Sequence, residues 1–130
     1  MPVPSSLLNI RPRNIPSGEQ AYLGSGHLAD LARANGLAVE ELLEFYARQP
    51  YVSAELESFD PILVCGTGHG DVEIFTGEEM EMIWEVGRTA ELAGRIVWLL
   101  SCRTGARLGP DIIRSRAIGF GGYREDFMWA

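Results

Sequence analysis

The chain has 130 residues, 22% of them charged, and a formal net charge of −7. This length is enough for one domain with its own hydrophobic core. The acidic balance argues against nucleic acid as a partner, because phosphate binding needs an excess of basic residues. No lysine occurs, which excludes pyridoxal Schiff bases and the phosphate-binding lysine of a P-loop.

The cysteine content and the hydropathy of the chain indicate where in the cell the protein is located. The chain has two cysteines, too few for a disulfide framework. It has no apolar run of about 18 residues that would span a membrane, and no apolar stretch near its start typical of a signal peptide. The sequence therefore predicts a cytoplasmic protein with no membrane partner.

The first 24 residues contain prolines at positions 2, 4, 12 and 16. Proline commonly interrupts helices and strands. We therefore interpret residues 1–24 as an extended arm that has no core of its own.

Two helical patterns follow, and we interpret residues 25–50 as a helical hairpin packed on the core. Apolar residues at 28, 31 and 32 share a face, Gly36 breaks the pattern, and apolar residues at 39, 42, 43 and 46 continue it to Pro50. A DNA-binding helix-turn-helix is the alternative. Its second helix would carry glutamates at 40, 41 and 44 against Arg48 alone, which is unfavourable next to phosphates.

Two apolar runs, 61–65 and 96–101, each lead into a reactive side chain and glycine. The first continues as Gly66-Thr67-Gly68-His69-Gly70, and the second as Cys102-Arg103-Thr104-Gly105. Short apolar runs that end in glycine are typical of buried parallel strands. We predict strands at 61–65 and 96–101, and a third at 116–120.

The residues between the first two strands are predicted to form a crossover helix. Thr76-Gly77-Glu78-Glu79 has the pattern of a capping box, apolar residues at 80, 83 and 84 form a stripe, and Gly94 is a plausible end. The resulting βαβ unit predicts an α/β fold with a short, mostly parallel sheet. Ligands bind at the carboxyl ends of such strands, so His69 and Cys102 are expected at one edge.

His69 and Cys102 are more informative as a pair than alone. A single histidine is usually structural, and a free cysteine is commonly a small buried apolar residue, which is how we interpret Cys65. A histidine enclosed by glycines and a cysteine at a strand end together indicate a nucleophile with its acid–base partner.

Two other kinds of site fit these residues less well. Cys65, His69, Cys102 and His27 could supply four zinc ligands, but the usual ligand spacings are missing. The glycines at 66, 68 and 70 favour a nucleotide-binding loop, yet Asp71 departs from the Gly-x-Gly-x-x-Gly pattern and the helix starts too late to receive phosphates. We predict no metal and no cofactor.

Residues 60–124 resemble the caspase-like clan of cysteine peptidases: caspases, gingipains, legumain, separase and CHAT domains. In that clan a His-Gly and a Cys each follow a hydrophobic strand, as His69-Gly70 and Ser101-Cys102 do here. The Cys102–Gly105 segment and residues 117–123 look closest to gingipain and CHAT domains. The resemblance implies a small three-layer caspase-like α/β domain over residues 51–130, preceded by a helical N-terminal segment.

The resemblance also implies cysteine endopeptidase activity on a peptide or protein substrate. Cys102 would attack the scissile carbonyl as a thiolate, and His69 would protonate the leaving amine. The backbone N–H groups of Gly70 and Cys102 would hold the oxyanion. Arg103, one of six arginines between 95 and 124, would bind an acidic P1 side chain, whereas a gingipain-like site would use a carboxylate such as Asp71, Glu125 or Asp126 for a basic one.

Two further functions stay open: a catalytically silent interaction subunit on the same fold, and a small ligand- or nucleotide-binding domain using the loop 66–70. Three strands leave unpaired sheet edges, and aromatic residues at 120, 123, 127 and 129 crowd the end of the chain. We therefore expect a homo-oligomer or a subunit of a larger assembly, unless a hairpin near 72–75 or further chain of a larger protein covers the edges.

Overall fold

The structure is a computed structural model that describes residues 2–16 and 18–126. In chain order its strands and helices are β1 (Val3–Arg11), α1 (Gly18–Ala34), β2 (Ala38–Leu43), α2 (Gln49–Ser58), β3 (Pro61–Thr67), β4 (His69–Asp71), β5 (Ile74–Thr76), β6 (Met82–Glu85), β7 (Ile96–Leu100), α3 (Leu108–Arg114) and β8 (Gly119–Gly121). Short 3-10 turns lie at Glu44–Tyr46, Glu78–Met80 and Ala90–Leu92.

Five parallel strands form the main sheet in the order β2-β1-β3-β7-β8, and β4, β5 and β6 form a small antiparallel sheet. The direction of winding reverses between β1 and β3. In a doubly wound sheet, that reversal places a crevice at the carboxyl ends of the strands. The predicted α/β fold with a short parallel sheet is confirmed.

One face of the main sheet carries the hydrophobic core. Buried residues alternate along the strands, as expected for a pleated backbone, and include Leu8, Ile10, Val64, Val97 and Leu99. The side chains that pack on them come from α2, α3 and the small sheet: Val52, Leu56, Phe75, Ile83, Trp84, Leu108 and Ile112. Helix α1 packs on the opposite face, where the Asn9 amide donates a hydrogen bond to the Ser25 carbonyl.

The interpretation of residues 1–24 as an arm is wrong. Strand β1 lies between β2 and β3, and its Leu7, Leu8 and Ile10 are at most 2% exposed. The prolines are compatible with this strand because Pro12 follows it and Pro4 lies in an irregular stretch of the β1–β3 ladder. Proline is tolerated at such positions, where it removes no regular ladder bond.

The helical hairpin over residues 25–50 is also wrong. Helix α1 begins earlier, at Gly18, and the second apolar pattern forms a strand: Val39 and Leu42 pair with Leu7 and Ile10 of β1. Pro50 lies in the first turn of α2 and so begins a helix, where its missing N–H removes no helical hydrogen bond. No helix-turn-helix forms over these residues.

The predicted crossover helix is replaced by the small sheet. The residues of the apparent capping box have other partners: the Thr76 hydroxyl donates to the His69 carbonyl, and the Glu78 carboxylate accepts from the backbone N–H groups of Arg13 and Asn14. The Trp84 indole, in β6, stacks on Phe75 with ring centroids 5.8 Å apart. A hairpin near 72–75 is present as β4 and β5, but it belongs to the small antiparallel sheet and does not pair with β2 or β8, the edge strands of the main sheet.

Candidate active site at the carboxyl ends of β3 and β7

The two predicted catalytic segments leave the main sheet side by side. Strands β3 and β7 are parallel neighbours, with Cys65 opposite Trp98. Beyond the last register pair, the Gly68 N–H donates to the Leu100 carbonyl at 3.2 Å. This bond extends the pairing to the residues just before His69 and Cys102, so both reach the same sheet edge, as predicted.

His69 lies at the start of the β4–β5 hairpin. Its carbonyl accepts a 2.7 Å hydrogen bond from the Thr76 hydroxyl, while its side chain is exposed. Gly68 is needed here because a methyl group at its Cα would lie 2.3 Å from the Thr76 carbonyl oxygen. The hairpin therefore holds the His69 backbone and leaves the imidazole accessible.

Cys102 lies in a tight turn whose two hydroxyl residues are buried. Ser101 and Thr104 are fully buried, and their hydroxyl oxygens are 3.0 Å apart. The Gly109 N–H, at the start of α3, donates to the Thr104 carbonyl at 2.7 Å. Between them, Cys102 is half-buried and Arg103 is exposed in the left-handed region at φ 61°. The turn thus leaves the Arg103 side chain exposed and Cys102 partly accessible.

Gly70 is the point at which the two segments touch. A methyl group at its Cα would lie 2.9 Å from the Cys102 carbonyl oxygen, 2.9 Å from Ser101 Cβ and 2.7 Å from Thr104 Cγ2. Real Cβ atoms do not approach neighbours this closely, so only glycine fits. The backbone after His69 is therefore in direct contact with the turn that carries Cys102.

Charged side chains join the two segments to a third. The Arg103 guanidinium makes two hydrogen bonds to the Asp126 carboxylate, at 2.8 and 2.9 Å, and lies 3.6 Å from a carboxylate oxygen of Asp71. Hydrogen bonds from Arg103 and its charge, with smaller contributions from the Cys102 thiol and His69, lower the pKa of Asp126. The pair with Arg103 therefore brings Asp126 to the turn that carries Cys102.

Cys65 contrasts with Cys102. It lies within β3, and burial raises the pKa of its thiol to about 11. The thiolate is the reactive form of cysteine, so Cys65 is unreactive near neutral pH. This environment agrees with a packing role.

The glycines at 66, 68 and 70 are explained by packing inside the protein. A methyl group on Gly66 would lie 2.8 Å from the Phe75 ring, and the positions of Gly68 and Gly70 are similarly filled. The segment that follows is strand β4, not a helix. A helix N-terminus, which a nucleotide-binding loop uses to bind phosphate, is missing here.

The four residues considered as zinc ligands do not form a site. Within residues 2–16 and 18–126, no group of three or more His, Cys, Asp and Glu side chains is arranged to hold a metal ion. His27 is exposed on α1.

Two features of this edge were missed from the sequence. Glu78, interpreted as a capping residue, is 2% exposed and connects the hairpin to the loop after β1. Asp126 was considered only as a carboxylate that binds a basic P1 side chain. Its partner in the structure is Arg103, 23 positions earlier in the chain. No local sequence signal distinguishes these carboxylates from the chain's many others.

The chain matches no protein-family model, and searches of curated proteins and of solved structures give no significant match. Among the described helices, none has the length and apolar character needed to cross a membrane.

Proposed function

We propose that the protein is a cysteine endopeptidase of the caspase-like type, with Cys102 as nucleophile and His69 as general acid. The observation that carries the proposal is the contact of Gly70 with the Cys102 turn. It brings a histidine and a thiol, distant in sequence, to one exposed edge of a parallel sheet. That edge is where open α/β folds bind ligands.

The steps follow from the groups present. The Cys102 thiolate attacks the carbonyl carbon of the scissile peptide, and a C–S bond forms as the carbonyl becomes an oxyanion. His69 gives its proton to the leaving amine, which departs as the C–N bond breaks. Water then hydrolyses the thioester and regenerates the thiol. Backbone N–H groups of Gly70 and Cys102 hold the oxyanion, and each such donor contributes about 3 kcal/mol in acyl transfer.

Peptide hydrolysis tests the proposal. A panel of fluorogenic peptides that differ only at P1, as Asp, Asn, Leu, Lys and Arg, would be compared for the wild type, Cys102→Ala and His69→Ala. We expect turnover of at least one peptide by the wild type and none by either variant. The charge of the preferred P1 residue distinguishes Arg103 from Asp71 as the substrate-binding group. Turnover retained in Cys102→Ala would contradict the proposal.

The second candidate is an interaction subunit without catalysis. It is favoured by the face of the main sheet opposite the core, where α1 contacts β1 and β2 while Trp98 and Ile96 of β7 are 48% and 39% exposed. Sedimentation velocity of wild type and Trp98→Ser tests it. An oligomer that dissociates in Trp98→Ser, together with a peptide panel that shows no turnover, would favour this candidate. Phe127 and Trp129, on which the predicted oligomer partly relied, lie outside the described residues.

We also propose a cytoplasmic location. Both cysteines are free, and the reducing conditions of the cytosol keep thiols in the free form. Fractionation of cells that produce the protein would test this.

A further inference from the structure

Residues 122–126 lie along the turn that carries Cys102. The Gly105 N–H donates to the Tyr123 carbonyl at 2.8 Å, and the Arg103 N–H donates to the Glu125 carbonyl at 3.3 Å. Alternate N–H groups of one segment thus meet alternate carbonyls of the other, in antiparallel order. An added strand binds to a sheet edge in this way.

The side chain that ends this segment is paired with a residue of the Cys102 turn. Asp126 receives two hydrogen bonds from Arg103, the residue that follows Cys102. Because Arg103 directly follows Cys102 in the chain, this pair holds the end of the segment against the turn that carries the thiol.

The segment is held by contacts that can be released. The side chains of Arg103 and Asp126 are 47% and 58% exposed, and exposed ion pairs are weak and screened by salt. At the other end of the segment, the Tyr123 ring packs edge-on against Trp98 with centroids 6.3 Å apart. An open cleft lined by Ala106 and residues 122–126 lies beside the segment.

We propose that residues 122–126 are an internal occupant of the candidate active site, and that the Arg103–Asp126 pair holds them against the Cys102 turn until the segment is displaced. The regulatory meaning of this contact rests on the proposed peptidase function. The occupancy itself does not, because it concerns the reactivity of one thiol. A peptide substrate would displace residues 122–126 before reaching the nucleophile.

Alkylation of Cys102 by iodoacetamide tests the proposal, in the full chain with Cys65→Ala so that a single thiol reacts. Asp126→Asn should increase the rate about threefold or more, the scale of an exposed ion pair. Glu125→Gln is the matched control, since it removes the same charge one residue away, and it should leave the rate within experimental error. About 0.5 M NaCl should accelerate the parent protein and not Asp126→Asn.

A second variant separates occupancy by the segment from the local effect of one charge. Tyr123→Ala removes the contact with Trp98 and keeps Asp126, so it should also accelerate alkylation. A circular dichroism spectrum identical to the parent's shows that the fold is retained. An unchanged rate in Tyr123→Ala would overturn the occupancy, and an unchanged or lower rate in Asp126→Asn would overturn the role of Asp126.

The peptide assay distinguishes failure of this inference from failure of the proposed function. Faster alkylation in both variants without turnover of any peptide would support the internal occupant and contradict the proposed peptidase function. Turnover by the parent, with no acceleration of alkylation or hydrolysis in either variant, would support the peptidase function and contradict the internal occupant.

Discussion

Two carboxylates at the carboxyl edge of the main sheet hold neighbouring loops together in opposite settings. Glu78 is buried and accepts hydrogen bonds from the Arg13 and Asn14 backbone N–H groups at 2.7 and 3.0 Å, and from the Asn14 amide. Asp126 is exposed and is held by Arg103. A buried, fully bonded carboxylate is costly to release, whereas an exposed ion pair is not.

This difference divides the edge into a fixed part and an adjustable part. The loop after β1 is fixed to the hairpin through Glu78, and the Glu78 N–H also donates to the Ala47 carbonyl after β2. The loops after β7 and β8 meet through Arg103 and Asp126. Segments that move during function come from the less stable parts of a protein, so the adjustable part is the one beside Cys102.

The largest effect is expected when Glu78 is changed to Gln. The substitution removes the charge and places an N–H₂ group opposite backbone donors, so the free energy of unfolding should fall by about 3 kcal/mol. Urea denaturation at neutral pH measures it. Glu79→Gln is the control, because the Glu79 side chain is 63% exposed. Equal losses in the two variants would show that burial does not distinguish the two carboxylates.

Acid should weaken the same contact. Burial alone would raise the pKa of Glu78, but hydrogen bonds from Arg13 and Asn14, with the charge of Arg48, outweigh it and lower the pKa. The stabilisation is therefore fully present above the ordinary glutamate pKa of about 4.3 and is lost as pH falls through the lower value in the folded protein. Denaturation midpoints across this range should fall more steeply in the wild type than in Glu78→Gln; parallel curves would contradict this.

Gly70→Ala should have the next largest effect, about 2 kcal/mol, because the added methyl group overlaps the backbone and side chains of the Cys102 turn. Loss of any peptidase activity should accompany it. Gly119→Ala is the control, since a methyl group there meets no atom within 4 Å. Thermal denaturation of both variants measures the difference, and similar melting temperatures would mean that the two segments separate easily.

The two cysteines give a smaller contrast. Cys65→Ala should cost about 1 kcal/mol through the space left beside β3 and should spare activity, whereas Cys102→Ala should abolish activity with little loss of stability. With the Cys65 pKa raised to about 11, its alkylation should stay slow until strongly alkaline pH. Mass spectrometry of partly alkylated protein identifies the modified thiol. Preferential labelling of Cys65 at neutral pH would reverse the two roles.

Asp126→Asn should have the smallest effect on stability. The ion pair with Arg103 is exposed, so the melting temperature of Asp126→Asn should match that of Glu125→Gln. Calorimetry of the two variants tests this. A clear loss confined to Asp126→Asn would place residues 122–126 in the fixed part of the edge.

The strand pair that carries the candidate site could be predicted because its signal is local. The runs at 61–65 and 96–101 are apolar and end in glycine, and buried parallel strands have that pattern wherever they occur. Parallel neighbours meet at their carboxyl ends, which placed His69 and Cys102 at one edge. Strand β1 was missed because its prolines look like interruptions until the irregular ladder around Pro4 is known.

Tertiary contacts decided the rest. Thr76-Gly77-Glu78-Glu79 has the local pattern of a helix start. The backbone N–H groups that donate to Glu78, however, belong to Asn14 and Arg13, which lie 64 and 65 positions earlier in the chain. Burying that carboxylate requires those donors, and a helical conformation would not bring them to it. The contact of Asp126 with Arg103 likewise depends on the return of the chain after β8. The sequence by itself determined which chemical groups reach the edge; the tertiary structure decided what holds them, because hydrogen bonds between distant segments leave no local pattern.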